Sequence, residues 1–156
     1  MEFDCLHHNI WKDAVVEARD LERRDVTLQL CGSDVDEKVL QYARENAARA
    51  GVDQHIRFFR ADARRIEKPT PNTRGTIICN PPYGERLMER KEVEVLYREM
   101  GKQFEKLSPW QIYVLTSHEQ FERLYGRRAD KTRKLFNGMI PCNLYQFFKP
   151  PVAKKQ

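Results

Sequence analysis

The fold of this chain is decided by the stretch Thr76-Ile77-Ile78-Cys79-Asn80-Pro81-Pro82-Tyr83. An apolar, β-branched run that stops at Asn-Pro-Pro is typical of a buried strand that ends in a rigid loop. The two prolines fix φ and remove two backbone donors, so the loop neither extends the strand nor begins a helix. The result is a stiff segment that holds the amide of Asn80 close to the ring of Tyr83.

These four loop residues have the chemistry needed to hold a planar amine. Asn80 and a backbone carbonyl can accept the amine hydrogens, while Tyr83 stacks on the ring that carries the amine. The alternative is a loop that only turns the chain, which is the usual use of a Pro-Pro pair. The strand before the loop and Gly84 after it favour the functional interpretation. The candidate catalytic residues are therefore Asn80, Pro81, Pro82 and Tyr83.

The loop resembles the Asn-Pro-Pro-Tyr signature of S-adenosylmethionine-dependent methyltransferases that modify exocyclic or amide nitrogens. With the extension Gly84-Glu85-Arg86-Leu87, it resembles the RlmL-like, THUMP-containing 23S ribosomal RNA guanine-N2 methyltransferases, a group also labelled N6-adenine-specific DNA methylases. Residues 129–138 and 142–147 are similar to the C-terminal hairpin of that group. The resemblance runs from about Leu30 to Phe148 and implies an S-adenosyl-L-methionine cofactor and a ribosomal RNA partner.

Strands alternate with helices along the chain, which predicts a mainly parallel, doubly wound α/β sheet closed by a C-terminal antiparallel hairpin. The resemblance implies that this is the Rossmann-like sheet of class I methyltransferases. The chain then reads as one partial catalytic domain, 1–156, with a helical segment 1–25, a core 26–149 and a tail 150–156. The predicted helices are 11–24, 37–50, 92–107 and 119–125, and the predicted strands are 26–31, 56–59, 76–79, 111–116, 133–136 and 144–149, with the last turn at Asn137-Gly138.

Two carboxylates lie where predicted parallel strands end, the edge of the sheet at which such folds bind ligands. Asp34 can accept two hydrogen bonds from a ribose diol, and Asp62 can accept the amino group of adenine, with Val35 and Ala63 packed on the base. The alternative is that each carboxylate only caps the helix or turn that follows it. The order of the two carboxylates relative to Asn80 matches the methyltransferase pattern. It favours cofactor binding by Asp34, Val35, Asp62, Ala63 and Asn80.

A glycine-rich loop, which the family places after its first strand, has no counterpart here, because the sequence contains no Gly-x-Gly. The resemblance therefore implies the C-terminal part of a methyltransferase, without the first strand and the THUMP region. In the family's sheet that strand lies between those ending at Asp34 and Cys79, so both would keep unpaired backbone groups. We expect either a separate chain that supplies the strand, or a truncated or split product.

The chain has 156 residues, a formal net charge of +5 and a pI near 9.1, which favours an anionic partner without identifying it. A cationic cluster surrounds the start of the final hairpin and could hold RNA phosphates. Charges that deter pairing at a sheet edge account for the cluster equally well. Its members are Arg123, Arg127, Arg128, Lys131, Arg133 and Lys134.

Several features set the expected cellular context. The four cysteines, Cys5, Cys31, Cys79 and Cys142, are far apart, which favours reduced thiols in a cytoplasmic protein. No apolar run has the length of a membrane span, and the amino terminus lacks signal-peptide character. His7-His8 has no cysteine or carboxylate partners at ligand spacing, so no metal is expected.

Three classes of function remain open from the sequence. The first is a guanine-N2 methyltransferase of ribosomal RNA. The second is another N-methyltransferase with the same four-residue signature, acting on DNA adenine N6 or on a protein glutamine amide, although residues 84–87 and 131–138 argue against it. The third is a non-catalytic remnant or binding module, which the missing glycine loop keeps open.

Overall fold

The computed structural model describes residues 8–23, 25–69, 71, 73–83 and 87–149, with side chains throughout except at residues 8 and 87–89. The chain divides into two compact units, Met1–Arg60 and Ala61–Gln156. The prediction of one partial catalytic domain stays a prediction. The residues discussed above that lie outside the described ranges are Cys5, His7, Gly84, Glu85, Arg86 and the tail 150–156.

The first unit contains a two-stranded parallel sheet. Strand β1 pairs with β2 in a continuous register from Leu30 opposite Ile56 to Asp34 opposite Arg60. The unit's helices and strands are α1 (His8–Asp20), β1 (Leu30–Asp34), α2 (Glu37–Arg49) and β2 (Ile56–Arg60).

The predicted bounds of the first strand are wrong: it spans Leu30–Asp34 and not 26–31. The pairing explains the shift, because β2 begins at Ile56 and the register places Leu30 opposite that residue. Gly32 lies opposite the ring of Phe58, and a Cβ at this position would come within 2.7 Å of that ring. A larger residue at this position would require the Phe58 ring to move.

Helix α2 follows the prediction closely. The carboxylate of Asp36 accepts the backbone N–H of Lys38 at 2.8 Å and caps the N-terminus. Leu40 and Ala47 are buried on one face of the helix. Gly51, at φ +68°, follows the last turn in the left-handed conformation that ends many helices.

The second unit is a four-stranded mixed sheet with the order β3-β4-β6-β5. Strands β3 and β4 are parallel, whereas β6 runs antiparallel to both β4 and β5. The predicted antiparallel hairpin is therefore present, but the sheet that it closes is mixed and not mainly parallel, because only the pair β3-β4 is parallel. Its elements are β3 (Thr76–Cys79), α3 (Leu87–Glu105), β4 (Gln111–Thr116), α4 (Phe121–Tyr125), β5 (Lys131–Asn137) and β6 (Ile140–Phe147).

Helices α3 and α4 cover one face of this sheet with an apolar, largely aromatic core. Phe121 is fully buried, and its ring lies within 6.5 Å of the rings of Tyr97, Tyr125, Tyr145 and Phe147. The two helices approach so closely that a Cβ on Gly101 would lie 2.0 Å from the carbonyl oxygen of Tyr125. This core fixes the two central strands, β4 and β6, and β3 and β5 flank them on either side.

The final hairpin is longer than predicted, and its turn is shifted by one residue. Asn137 still pairs with Ile140, so the two-residue loop is Gly138-Met139, with Gly138 at φ +60°. Strand β6 ends at Phe147, before the predicted Lys149. The backbone N–H groups of Phe148 and Lys149 both donate to the carboxylate of Asp130 instead of continuing the ladder.

Strands β1 and β3 are both edge strands and belong to separate sheets. Among the described residues, β1 pairs only with β2 and β3 only with β4. These are the two strands that the resemblance predicts on either side of a missing strand. Each therefore keeps one row of backbone groups without a strand partner in the described part of the chain.

Candidate functional site

The loop Asn80–Tyr83 begins directly after β3 and brings the predicted amide and aromatic ring together. The Tyr83 hydroxyl donates to Asn80 Oδ1 at 2.6 Å. Asn80 is exposed and Tyr83 is half-buried, so the pair is both held in place and open to solvent. Burial raises the pKa of Tyr83, which keeps its hydroxyl a neutral donor near pH 7.

A buried hydroxyl pair fixes the loop from the core side. Tyr97, in α3, donates its hydroxyl to the Pro82 carbonyl at 2.8 Å. Because that donation uses its single hydrogen, the contact of 2.8 Å with Thr116 Oγ1 is made by the threonine hydroxyl as donor. Both side chains are 0% exposed, and burial raises the pKa of Tyr97 to about 12. The Pro82 carbonyl is thus already engaged.

The end of β4 supports this arrangement. The backbone N–H of His118 donates to Thr116 Oγ1 at 3.1 Å, and His118 Nδ1 accepts from the backbone of Gln120. The His118 ring also meets the edge of Tyr97 at a centroid distance of 5.5 Å. Tyr97, Thr116 and His118 are supporting residues of the site that the sequence does not indicate. A tyrosine inside an amphipathic helix and a threonine ending a strand give no signal beyond core packing.

A fourth such residue is Asn137, which the sequence suggests only as part of a turn. Its side-chain Nδ2 donates to the Tyr83 hydroxyl at 3.2 Å. The sequence separates these residues widely, and only the pairing of β5 with β6 brings the hairpin tip to the loop after β3. The amides of Asn80 and Asn137 are therefore linked through one phenol oxygen.

Asp34 and Val35 lie at the end of β1, as predicted. Asp34 is half-buried, and its Oδ1 accepts the backbone N–H of Asp36 at 2.9 Å. This is the turn-closing use that was weighed as the alternative to ribose binding, but it occupies only one of the two carboxylate oxygens. The side chain of Val35 is 56% exposed, so it remains available for contact with a planar ring.

Asp62 and Ala63 lie before β3 in the second unit. The Arg64 guanidinium binds the Asp62 carboxylate at 2.6 and 2.9 Å, and the Arg64 backbone N–H also donates to it. These bonds lower the pKa of Asp62 to about 2. Arg64 further contacts Glu99 of α3 at 3.2 Å. Asp62 is therefore ionised but already paired, while Ala63 packs against the core.

The cationic cluster divides into two groups. Arg127 is half-buried and serves the fold, because its guanidinium bonds Asp130 at 3.1 Å and the Lys149 carbonyl at 2.7 Å and lies over the ring of Phe147. Arg123 is exposed and donates to Gln120. The remaining members are exposed, and no acidic side chain of the described residues forms an ion pair with them: Arg128, Lys131, Arg133 and Lys134.

Comparison with known proteins identifies relatives along nearly the whole chain. The sequence profile of the family described as "RMKL-like, methyltransferase domain" matches residues 3–146. The Bacillus subtilis protein named "Putative RNA methyltransferase YpsC" is 42% identical over 157 residues, which cover 99% of this chain and 40% of that protein. The ribosomal RNA large subunit methyltransferase K/L of Aliivibrio salmonicida is 40% identical over 137 residues, or 85% of this chain and 19% of that protein.

Solved structures agree with the sequence relatives. SMU.472, crystallised in complex with SAH, matches with a TM-score of 0.82 and 35% identity, covering 97% of this chain and 40% of that one. A Listeria monocytogenes protein described as a "predicted N6-adenine-specific DNA methylase" matches with a TM-score of 0.76 and 40% identity, covering 95% and 37%. The predicted methyltransferase-type α/β fold is confirmed. This chain spans well under half of the length of each of these proteins.

One further property bears on the setting of the site. No helix within the described ranges is long and apolar enough to cross a membrane.

Proposed function

This chain belongs to the RMKL-like methyltransferase domain family, and on that premise we propose that it forms the amine-binding part of an S-adenosyl-L-methionine-dependent N-methyltransferase. The proposed acceptor is an exocyclic base amine, guanine N2 of 23S ribosomal RNA, which places the protein in the cytoplasm. The observation that carries the proposal is the contact of 2.6 Å between Asn80 and Tyr83 at the end of β3. An amide acceptor and an aromatic ring are thereby held side by side at the ligand-binding edge of a parallel strand pair.

The chain's own residues would act by positioning. An exocyclic amine is a weak nucleophile because its lone pair is conjugated into the ring. Asn80 Oδ1, which already accepts from Tyr83, and a proline carbonyl of the loop would accept its two hydrogens. Tyr83 would stack on the base after it has left its own stack in the RNA. Holding the amine in one orientation accounts for most of the expected acceleration.

We propose a separate role in adenosine binding for each residue assigned to the cofactor. Asp34 keeps one carboxylate oxygen for the ribose diol, and Val35 is open for contact with the base. Asp62, with Ala63, would bind the adenine amine after giving up part of its contact with Arg64. When bound, S-adenosyl-L-methionine would supply the electrophilic methyl group, and Asn80 is the further residue assigned to holding it.

The methionine half of the cofactor has no such match, because no Gly-x-Gly turn occurs in the sequence. We therefore expect this chain by itself to bind the cofactor weakly or not at all. Titration calorimetry with S-adenosylmethionine checks this expectation. An affinity in the low micromolar range would show that the residues present are sufficient.

For the RNA, we propose phosphate contacts from the exposed members of the cationic cluster, Arg123, Arg128, Lys131, Arg133 and Lys134, with Arg127 holding the hairpin that carries them. We further propose that a separate chain pairs with the edges of β1 and β3. That chain would supply the strand, the glycine loop and the THUMP region, which the resemblance implies.

The experiment is a chimera of YpsC of Bacillus subtilis in which this chain replaces the aligned segment. The chimera receives radiolabelled cofactor with unmodified 23S ribosomal RNA, duplex DNA or release-factor protein. We expect label in RNA as N2-methylguanine, and its loss with Asn80→Ala while cofactor affinity changes little, because Asn80 acts on the reacting amine.

Other outcomes separate the alternatives. Label in DNA as N6-methyladenine would favour the activity that the description of the Listeria protein names, and label in the release factor would favour a glutamine amide as acceptor. Label in RNA as methyladenine would keep the mechanism and overturn the base. A folded chimera that transfers no methyl group to any of the three would favour a binding module.

A further inference from the structure

The hairpin tip places a second amide at the candidate site. Asn137 is the last residue of β5, is exposed, and pairs with Ile140 across the two-residue loop. Its Nδ2 donates to the Tyr83 hydroxyl at 3.2 Å, and that hydroxyl donates onward to Asn80 Oδ1 at 2.6 Å. Asn137 and Asn80 are therefore separated by no more than two hydrogen bonds.

These bonds fix which end of the Asn137 amide is free. With Nδ2 engaged by Tyr83, Oδ1 is the end left available, and it accepts no hydrogen bond from the described residues. The single hydrogen of Tyr83 is likewise committed to Asn80, so the phenol cannot donate to Asn137. The site therefore offers two amide oxygens on either side of one phenol: Asn80 Oδ1 with capacity for a second donor, and Asn137 Oδ1 without a partner.

Two neighbouring acceptors select among the bases by their Watson–Crick edges, which enzymes that extract a base read by hydrogen bonding. Guanine presents adjacent donors, N1–H and the N2 amine. Adenine presents an acceptor at N1, which an amide oxygen repels. The pose required for this selection is a base stacked on Tyr83, with its amine at Asn80 and its neighbouring edge atom at Asn137.

From this geometry we propose that Asn137 is a specificity-determining residue whose Oδ1 accepts the N1–H of guanine. The inference rests on the proposed function, because it assumes that an unpaired guanine stacks on Tyr83. It assigns the hairpin tip the task of distinguishing guanine from adenine, while Asn80 holds the amine that both kinds of substrate share.

The test measures fluorescence anisotropy of this chain with labelled RNA hairpins that differ in one unpaired loop base. The four bases are guanine, inosine (N1–H without the amine), 2-aminopurine (the amine without N1–H) and adenine. We expect the unchanged chain to bind guanine and inosine more tightly than the other two. Asn137→Ala should weaken the binding of the guanine and inosine hairpins by about threefold to tenfold, the contribution of one hydrogen bond. The affinities for the 2-aminopurine and adenine hairpins should not change.

Two variants control the interpretation. Asn143→Ala removes an amide from the same hairpin, one whose Nδ2 donates to Tyr145 at 3.5 Å, and should leave all four affinities unchanged. Asn137→Asp keeps an acceptor but no donor, so it should retain the preference for guanine and inosine.

Each contrary result has its own meaning. Equal losses for all four bases in Asn137→Ala, or a loss of preference in Asn137→Asp, would show that Asn137 only supports Tyr83 and would overturn the inference. A preference for guanine and inosine that survives Asn137→Ala would overturn it and leave the proposed function intact. An unchanged chain that binds no RNA, or binds all four bases equally, would overturn this inference together with the RNA and guanine parts of the proposed function.

Discussion

At one edge of the four-stranded sheet, β5 carries Lys131, Arg133 and Lys134, whereas at the opposite edge β3 has no charged residue and leaves Ile78 78% exposed. Charges on an edge strand deter pairing with another chain, and an apolar edge without them invites it. The two edges belong to the same sheet, but Ile77 and Cys79 of β3 pack against the core, whereas every residue of β5 is exposed. The difference in charge indicates that the β5 edge is built to remain free and the β3 edge to be paired.

The edges also differ in how they are tied to the fold. Asp130, before β5, has a carboxylate only 13% exposed that accepts from Arg127 and from the N–H groups of Phe148 and Lys149. On the β3 side, the carboxylate of Asp62 is 22% exposed and its partner Arg64 is 45% exposed. The Asp130 carboxylate is therefore less exposed and holds more of the backbone than the Asp62 carboxylate, whose ion pair with Arg64 is screened by solvent.

The largest expected effect comes from the core under the β5 edge. Phe121→Ala removes a fully buried ring that packs on Tyr145 and Phe147 of β6. We expect a loss of about 3–5 kcal/mol in the free energy of unfolding, measured by urea denaturation. Hydrogen exchange should accelerate more in β5 and β6 than in β3. Equal acceleration at both edges would show that β5 does not depend on this aromatic layer.

Asp130→Ala should have the next largest effect. It leaves two backbone N–H groups and Arg127 without their carboxylate, and we expect a loss of about 1.5–3 kcal/mol in urea denaturation. Glu94→Ala is the matched control, because it breaks a more exposed ion pair with Arg98 within one helix. Equal effects for the two variants would contradict a special role of Asp130 at the β5 edge.

The structure was predictable from the sequence where it depends on local patterns and not where it depends on tertiary contacts. Strand and helix positions follow from apolar periodicity, so β3, β4 and α2 were predicted almost residue for residue. The limits of β1 and β6 were not, because they depend on where β2 begins and on two N–H groups that turn to Asp130. Asn80 and Tyr83 were found through a local pattern, whereas Tyr97, Thr116 and Asn137 reach the site only through tertiary contacts with no local signal.

A smaller effect should distinguish the two edges in association. Ile78→Lys places a charge on the exposed apolar edge of β3, and we expect it to reduce concentration-dependent self-association, measured by sedimentation velocity. The free energy of unfolding should change by less than about 0.5 kcal/mol, because the side chain is already exposed. Phe136→Lys is the matched control, since Phe136 is 73% exposed on the charged β5 strand. If both variants reduce self-association equally, the β3 and β5 edges do not differ in their tendency to pair.

The smallest expected effect concerns the β3-side carboxylate and depends on pH. Arg64 lowers the pKa of Asp62 from its ordinary 3.8 to about 2, so the ionised carboxylate stabilises the folded state. This contribution is complete above the unfolded value and is lost as the pH falls from about 4 towards 2. Asp62→Asn should therefore lower the free energy of unfolding by a small, constant amount at pH 5–7, and by progressively less below pH 4. The effect should be smaller than that of Asp130→Ala, because solvent screens the exposed Asp62–Arg64 pair. If the difference in the free energy of unfolding between the variant and the unchanged chain grows as the pH falls, Asp62 is not held ionised by Arg64.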